Sequence, residues 1–243
     1  MGPTIVNLFS GGMDSVATAM VFPCDLLLHI QIGTTDNVWE TERVRGIAKS
    51  LGRPLEIVSL DLSRWELPNK IIPFRNHMLV LTAAQYGNTI HMGATAGDTT
   101  RDKDFHFVSD MEQALNYFGS GPTEKRPPHG EPDYHVSLPF RTRTKGEIAQ
   151  IVDRDTEYSA LELLSWSRSC YEGAQDKECG QCRACLRKYV AMRAVLGHHH
   201  VADHFQNDPR SFLPQMIEES ERKGRCGREI TELKLAAEGA AAK

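Results

Sequence analysis

The chain has 243 residues, with 28 Lys and Arg against 32 Asp and Glu, which gives a formal net charge of −4. This length suits one α/β domain with a small appended lobe, and the slightly acidic balance gives no general electrostatic reason to expect a nucleic-acid partner. No run approaches the roughly 20 apolar residues that a membrane span needs, and the first residues lack a signal-peptide pattern. We therefore expect a cytoplasmic protein that makes no membrane contact.

The first predicted element is a buried strand over residues 5–9, which ends at the string SGGMDS. Two adjacent glycines let the main chain approach a ligand, and their N–H groups together with those of a following helix form a concave anion site. The simpler alternative is a strand-to-helix turn capped by Asp or Ser. The complete string favours a nucleotide site formed by Ser10, Gly11, Gly12, Met13, Asp14 and Ser15. No Lys follows the glycines as in the Walker A pattern, which disfavours γ-phosphoryl transfer.

Strands and helices alternate through the first two-thirds of the chain, which is the pattern of a doubly wound parallel sheet. Further strands are predicted over residues 25–32, 55–60, 88–93 and 134–138, and helices over 40–51, 76–86, 110–117, 144–151 and 183–196. Residues 119–133 contain four prolines and three glycines, so we predict an irregular loop there. A loop of this length either acts as a lid or is disordered.

Four of the six cysteines lie within sixteen residues, in the spacing C-x8-C-x2-C-x2-C. In a reducing compartment this spacing indicates metal binding before disulfide formation, and four thiolates suit a closed, structural zinc site. An iron–sulfur cluster and a set of buried free thiols are the alternatives. The predicted ligands are Cys170, Cys179, Cys182 and Cys185, with Gly180 helping the loop to bend.

Basic residues near the cysteines are expected to offset the negative charge of a four-thiolate centre. They are Arg168, Arg183, Arg187 and Lys188. The fold that we predict is α/β, with a doubly wound parallel sheet and a small C-terminal helical zinc-binding lobe. We place the nucleotide-binding domain at residues 1–165 and the four-cysteine helical lobe at residues 166–243.

Further strings narrow the comparison to one family. They are IPFRN at 72–76, MGA at 92–94, LPF at 138–140, TKGEI at 144–148, SCYEG at 169–173 and CGQCRACLRK at 179–188. Together with SGGMDS, and in this order, they resemble the QueC family of 7-cyano-7-deazaguanine synthases in the PP-loop (HUP-like) ATP-pyrophosphatase superfamily. The resemblance covers roughly residues 4–196.

The resemblance implies an enzyme, an ATP-dependent ligase of queuosine biosynthesis that forms AMP. In this family ATP and ammonia convert 7-carboxy-7-deazaguanine to the nitrile through an adenylated carboxylate and an amide intermediate. It implies ATP, Mg2+ and Zn2+ as cofactors, a small-molecule substrate, no direct nucleic-acid partner and a homodimer.

Asp14, Arg75 and Lys145 are the predicted catalytic residues, because each lies inside a matching string and could bind Mg2+ or stabilise phosphate charge. For the two cations the alternative is a solvated surface charge. Arg143 is a further cationic candidate, and Asn76 is assigned either to the site or to the N-cap of its helix.

The family's tyrosine-proline-aspartate-cysteine-arginine stretch has no match in this chain, where residues 98–107 read DTTRDKDFHF. Carboxylates here could accept the N–H groups of a guanine-like base, and a phenylalanine could stack on it. The predicted substrate residues are Asp98, Asp102, Asp104 and Phe105, with Phe107 as a second stacking candidate. A solvated loop with two core phenylalanines is the alternative.

This departure leaves other functions open. One is a QueC-like enzyme that adenylates a different carboxylate, as in phage and antiphage systems. Another is a different AMP-forming PP-loop enzyme, such as a tRNA-modifying thiolase or a lysidine-type synthetase. A third is a module that binds nucleotide or zinc without catalysis, against which the intact SGGMDS string argues.

Overall fold

A parallel β-sheet carries the fold in the computed structural model, which describes residues 4–33, 37–68, 71–119, 133–170 and 177–238. Within these ranges the sheet has five strands in the order β3-β2-β1-β4-β5, and every adjacent pair is parallel. The strands are β1 (Ile5–Leu8), β2 (Leu26–Gln31), β3 (Leu55–Ser59), β4 (Thr89–His91) and β5 (His135–Ser137). The prediction of a doubly wound α/β fold is confirmed.

The strand order reverses at β1, which is the topological feature that positions the site. Val6 of β1 pairs with Leu26 of β2 on one side and with Ile90 of β4 on the other. Connections after β1 and β4 therefore leave the same edge of the sheet in opposite directions. In open α/β sheets a ligand crevice forms beyond the carboxyl ends of the strands at such a point.

Helices cover both faces of the sheet. They are α1 (Met13–Val21), α2 (Asn37–Leu51), α3 (Arg75–Ala83), α4 (Phe105–Gly119), α5 (Lys145–Asp155), α6 (Ala160–Trp166), α7 (Arg183–Leu196), α8 (His198–Ala202), α9 (Leu213–Arg222) and α10 (Gly227–Glu238). None of the helices in the described ranges has the length and apolar character that crossing a lipid bilayer requires.

The clearest differences from the sequence prediction are in α4 and α6. Helix α4 starts at Phe105 rather than at residue 110, because the Asp104 carboxylate accepts the N–H of Phe107 at 2.8 Å and caps the first turn. Helix α6 was not predicted, although Ser159 and Glu162 form a capping box at its start. Residues 120–132 of the predicted irregular loop lie outside the described residues.

The core consists of two hydrophobic clusters, one on each face of the sheet. On one face Val6, Leu28 and Ile90 pack with apolar residues of α3 and α4. The cluster on the other face joins α1, α2 and α5 to α7, α9 and α10, and it includes Cys179 and Cys185. The C-terminal helices therefore share a core with the sheet domain, and the predicted boundary at residue 165 stays a prediction.

Candidate nucleotide site and metal centre

A cavity of about 540 Å3 opens at the carboxyl edge of the sheet, where the segments after β1, β2 and β4 meet; we call it the edge cavity. Ser10, Gly12, Met13, Asp14 and Ser15 of the SGGMDS string line it, whereas Gly11 does not, and nucleotide binding by these residues stays a prediction. Buried side chains of β2, among them His29, also face it. The cavity lies at the topological switch point, where this fold class binds its ligands.

The SGGMDS string turns the chain sharply from β1 into α1. Gly11 has a φ of +73°, a conformation that a side chain would strain. The Ser15 hydroxyl donates to the carbonyl of Gly12 at 3.0 Å, and the Ser15 and Ser10 hydroxyl oxygens lie 3.3 Å apart. Gly12 is the N-cap of α1 and supplies no side-chain cap, so the first N–H groups of this helix remain available to an anion.

Asp14 and Lys145 form an ion pair inside the edge cavity, with the Lys145 ammonium donating to the Asp14 carboxylate. Lys145 is the first residue of α5, and a reciprocal capping box between Thr144 and Glu147 holds this helix start. Burial lowers the pKa of Lys145, and the charge of Asp14 acts against that shift. The pair connects residues that are 131 positions apart in the sequence.

Arg75 and Asn76 begin α3 and also line the edge cavity. The residue before them, Phe74, has a φ of 59°, which is an unusual conformation for a bulky residue. Phe74 is the N-cap of α3, so the alternative that Asn76 caps this helix is wrong. Asn76 is instead buried and donates its amide N–H to the carboxylate of Asp102 at 2.8 Å.

Asp98 lies in the edge cavity and already has several partners within the protein. Its carboxylate accepts the N–H of Thr95 at 2.9 Å, and its oxygens lie 3.5 Å from the Lys103 ammonium and 3.4 Å from the Arg187 guanidinium. Burial opposes ionisation of Asp98, but Lys103 and Arg187 outweigh it and hold the pKa of this carboxyl well below its usual range.

The other predicted substrate residues lie outside the lining of the edge cavity. Asp102 binds Asn76, Asp104 caps α4, and Phe105 is exposed at the first position of that helix. Arg143 is exposed, and its carbonyl accepts the N–H of Ala96 at 2.8 Å. The binding roles that we predicted for these residues stay predictions.

The four predicted metal ligands converge beside the edge cavity. Their sulfur atoms all lie within 4.8 Å of one another, and the Sγ of Cys185 lies 3.4 Å from that of Cys182 and 3.8 Å from that of Cys179. Four sulfurs around one zinc ion stand about 3.8 Å apart, so the geometry fits a tetrahedral zinc site. Gly180, with a φ of +78°, makes the bend between two of the ligands.

Beside the metal centre lies a buried ionic network. The Glu178 carboxylate accepts from the ammonium of Lys188, which is fully buried, and lies 3.1 Å from a ring nitrogen of His204. Its other oxygen lies 3.6 Å from the Cys185 sulfur. Hydrogen bonds from His204 and Lys188, together with the ammonium charge, outweigh burial and lower the pKa of Glu178 to about 2. Lys188 thus lies beside the thiols, as predicted.

The other three basic neighbours of the cysteines line the edge cavity together with Cys170, and the charge-offsetting role that we predicted for them stays a prediction. Arg168, Arg183 and Arg187 line the edge cavity, and Arg187 is paired with Asp98 and Glu229. Their side chains therefore add positive charge to the cavity. Arg168 also holds the SGGMDS loop in place, because its backbone N–H donates to the carbonyl of Gly11 at 2.9 Å.

Comparison with known proteins identifies the family. A family model described as "Queuosine biosynthesis protein QueC" matches residues 47–196, which include β4, Lys145 and all four clustered cysteines. The chain belongs to the QueC family.

Curated relatives of this chain are named 7-cyano-7-deazaguanine synthase. The protein of Methanosphaerula palustris is 30% identical over 221 residues, which cover 74% of this chain and 90% of the relative. That of Campylobacter hominis is 25% identical over 213 residues, covering 74% and 90%. That of Chlorobium phaeobacteroides is 27% identical over 218 residues, covering 76% and 90%.

Several cavity residues were not found as site residues from the sequence. Lys103, Arg183 and Arg187 lie inside the region that matches the QueC family model, whereas Arg225 follows it, between α9 and α10. One signal was present, because Arg183 and Arg187 are four residues apart on a helix and so share a face. No local pattern marks Arg225.

Proposed function

We propose that this chain is an ATP-dependent ligase that converts 7-carboxy-7-deazaguanine and ammonia to 7-cyano-7-deazaguanine. The observation that carries the proposal is the meeting of the SGGMDS loop, Asp14 and Lys145 in one cavity of a QueC-family chain. The names of the curated relatives support the same substrate and product.

The proposed reaction has two activations. A carboxylate oxygen attacks the α-phosphorus of ATP, the bond to the β-phosphate oxygen breaks, and pyrophosphate leaves. Ammonia then attacks the acyl carbon, AMP departs with the former carboxylate oxygen, and loss of a proton gives the amide. A second ATP adenylates the amide oxygen in the same way, and loss of AMP and protons gives the nitrile. AMP leaves readily where an oxide ion would not.

The residues in the edge cavity suit a reaction of this kind, in which catalysis is mainly positioning and charge stabilisation. The N–H groups at the start of α1 would hold phosphate oxygens, and Lys145 would neutralise charge that develops on them. Arg75 would do the same from the start of α3. Asp14 would hold Mg2+, which would supply Lewis-acid polarisation of the phosphates.

Recognition of the deazaguanine is proposed for the segment after β4. Asp98 is the candidate that lines the edge cavity. Asp102 does not line it, but accepts a hydrogen bond from Asn76, which does. Asp104 and Phe105 are proposed to contact the substrate only where it extends past the cavity. A homodimer and a cytoplasmic location remain expectations from the family resemblance and the composition.

The test is an AMP-release assay with ATP, Mg2+ and ammonium, with and without 7-carboxy-7-deazaguanine, followed by mass analysis of the product. We expect AMP release to depend on the deazaguanine and the product to have the mass of the nitrile. Asp14→Ala should lower turnover at least about 100-fold while the protein stays folded, because the proposed holder of Mg2+ and the ion-pair partner of Lys145 are lost. The matched control is Asp110→Ala, which removes an exposed carboxylate of α4.

Two results would contradict the proposal. Wild-type AMP formation by Asp14→Ala would remove Asp14 from the site. Failure of the deazaguanine to bind at millimolar concentration, with ATP binding intact, would point to a different carboxylate as the acceptor.

A further inference from the structure

Three arginines from the C-terminal part of the chain lie at the edge cavity. Arg183 and Arg187 project from the first turns of α7, and Arg225 lies between α9 and α10. Arg187 donates to the hydroxyl of Thr95 at 2.8 Å, and Arg225 donates to the carbonyl of Gly97 at 3.2 Å. We call Arg183, Arg187 and Arg225 the arginine cluster.

The arginine cluster carries more positive charge than its neighbours neutralise. Its closest carboxylates are Glu229, which pairs with Arg187, and Asp98, which Arg187 shares with Lys103. Arg187 repels both Arg183 and Arg225, and Arg225 also repels Arg183, so the three partly buried charges disfavour one another. Four cations thus face Asp98 and Glu229, and the further carboxylate of Asp14 is paired with Lys145, so an excess of positive charge remains. A partly buried excess of this kind favours an anion.

A more distant carboxylate does not remove this excess. Glu219 of α9 attracts both Arg183 and Arg225, but its carboxylate forms its own ion pair with Lys223 four residues later. The pair of Glu219 and Lys223 therefore adds no net charge to the surroundings of the arginine cluster.

Two donors of the arginine cluster are unsatisfied. Within the part of the chain that the structure describes, Nη2 of Arg183 and Nε of Arg225 are buried and have no hydrogen-bond partner. Leaving a buried charged donor unpaired is unfavourable, because the group has lost its water without gaining a partner. A ligand with several acceptor oxygens would satisfy both groups.

Packing holds the arginine cluster in place before any ligand binds. Glu229 is buried and accepts a hydrogen bond from the Arg187 guanidinium, and it lies against Gly97 of the segment that follows β4. A side chain at position 97 would collide with Glu229 and Arg187, so α10 approaches the sheet edge as closely as it does because Gly97 has none. The Arg187 guanidinium is thus held between α10 and the segment after β4, and Arg225 is tied to that segment through the carbonyl of Gly97.

We propose that the arginine cluster binds the β- and γ-phosphates of ATP, the part that leaves as pyrophosphate. Guanidinium groups bind phosphate oxygens bidentately. The two terminal phosphates of ATP carry several negative charges, which would balance the excess positive charge of the arginine cluster. The cluster lines the same cavity as the SGGMDS loop, and the carboxylate of Asp14 acts electrostatically on Arg187. The inference rests on the proposed use of ATP but not on the identity of the acceptor.

The experiment is isothermal titration of three ligands to wild-type protein and to Arg225→Gln. The ligands are inorganic pyrophosphate, the uncleavable α,β-methylene analogue of ATP, and AMP, which lacks the two terminal phosphates. We expect the variant to bind pyrophosphate and the analogue roughly 10-fold to 100-fold more weakly, as loss of a charge-assisted hydrogen bond predicts. AMP should bind as it does to the wild type, and Arg225→Lys should recover part of the loss.

Arg222→Gln is the matched control, because Arg222 is exposed at the end of α9 and does not line the edge cavity. It should leave all three affinities unchanged. If Arg225→Gln does not fold, as judged from thermal melting, Arg183→Gln makes the same test from α7.

Unchanged affinity of the variant for pyrophosphate would overturn the inference, and so would an equal loss for AMP. Unchanged pyrophosphate affinity is the result expected if the arginine cluster instead binds a phosphate group of the acceptor substrate. Failure of the proposed function is distinguishable: the affinity differences would persist while no nitrile forms with the deazaguanine. Nitrile formation with unchanged pyrophosphate affinity would overturn the phosphate assignment alone.

Discussion

The edge cavity has two walls that are built in contrasting ways. One is the SGGMDS loop, whose six residues are consecutive and present mainly backbone N–H groups. The other is the arginine cluster, whose members are separated by as many as 42 positions (183 to 225) and present side-chain charge. The first wall needs only a correct strand-to-helix turn, whereas the second exists only when the C-terminal helices are packed.

The metal centre links the two walls. Cys182 of the four-cysteine cluster is the N-cap of α7, so Arg183 follows it directly and Arg187 lies four residues further along the same helix. Arg168 lies two residues before Cys170 of the same cluster, and its backbone N–H donates to the carbonyl of Gly11 in the SGGMDS wall. A change at the cysteines should therefore affect the arginine wall directly and the SGGMDS wall only through Arg168.

The largest expected effect comes from Cys185→Ser, which removes a fully buried ligand. Because structural zinc sites contribute directly to folding energy, we expect loss of zinc and a fall in melting temperature of about 10 °C or more. Metal analysis should find about one zinc per wild-type chain. Differential scanning calorimetry measures the melting temperature.

Cys226→Ser is the control for this variant, since Cys226 lies outside the metal cluster. It should keep both the zinc and the melting temperature. Wild-type protein without zinc, or with a visible absorption band of an iron–sulfur cluster, would show that the centre is something else.

A smaller effect is expected from Asp98→Asn, which removes the carboxylate shared by Lys103 and Arg187. Breaking such a buried arrangement should cost about 3 kcal/mol of unfolding free energy near neutral pH. The folded-state pKa of Asp98 lies below the ordinary 3.8, so its contribution is complete above pH 3.8 and disappears as the pH falls toward the lower value. The unfolding free energies of wild type and variant, measured with urea, should thus become equal at acid pH.

Asp110→Asn, at an exposed position of α4, is the matched control and should follow the wild type at every pH. A difference between Asp98→Asn and wild type that stayed constant down to acid pH would mean that the charge of Asp98 does not stabilise the arginine wall.

The smallest effect is expected from Phe74→Asn. The side chain of Phe74 is 63% exposed, and its backbone is in the left-handed conformation with a φ of 59°. Asparagine adopts this backbone conformation more readily than phenylalanine does. We expect the variant to gain about 1 kcal/mol in unfolding free energy, measured with urea. Phe105→Asn is the control, because this side chain is equally exposed but begins a regular helix. A larger loss from Phe74→Asn than from the control would mean that the ring itself stabilises the start of α3.

Sequence patterns determined much of the fold because their causes are local. Alternating apolar strands and helices predicted the parallel sheet, and the SGGMDS string predicted the loop that enters the edge cavity. The spacing of the four cysteines predicted their convergence, since short loops restrict where the sulfurs can lie. Thr144 and Glu147 form the capping box that begins α5 and thereby holds Lys145.

Only the tertiary structure decided which charges meet. Arg187 follows a metal ligand closely in sequence, yet its guanidinium pairs with Asp98 and Glu229, 89 and 42 positions away. Arg225 has no neighbouring pattern that distinguishes it from a solvated arginine. Side-chain charges act through space, and where a long cation points depends on how α7 and α10 pack against the sheet edge. Spacing along the chain carries no record of that packing.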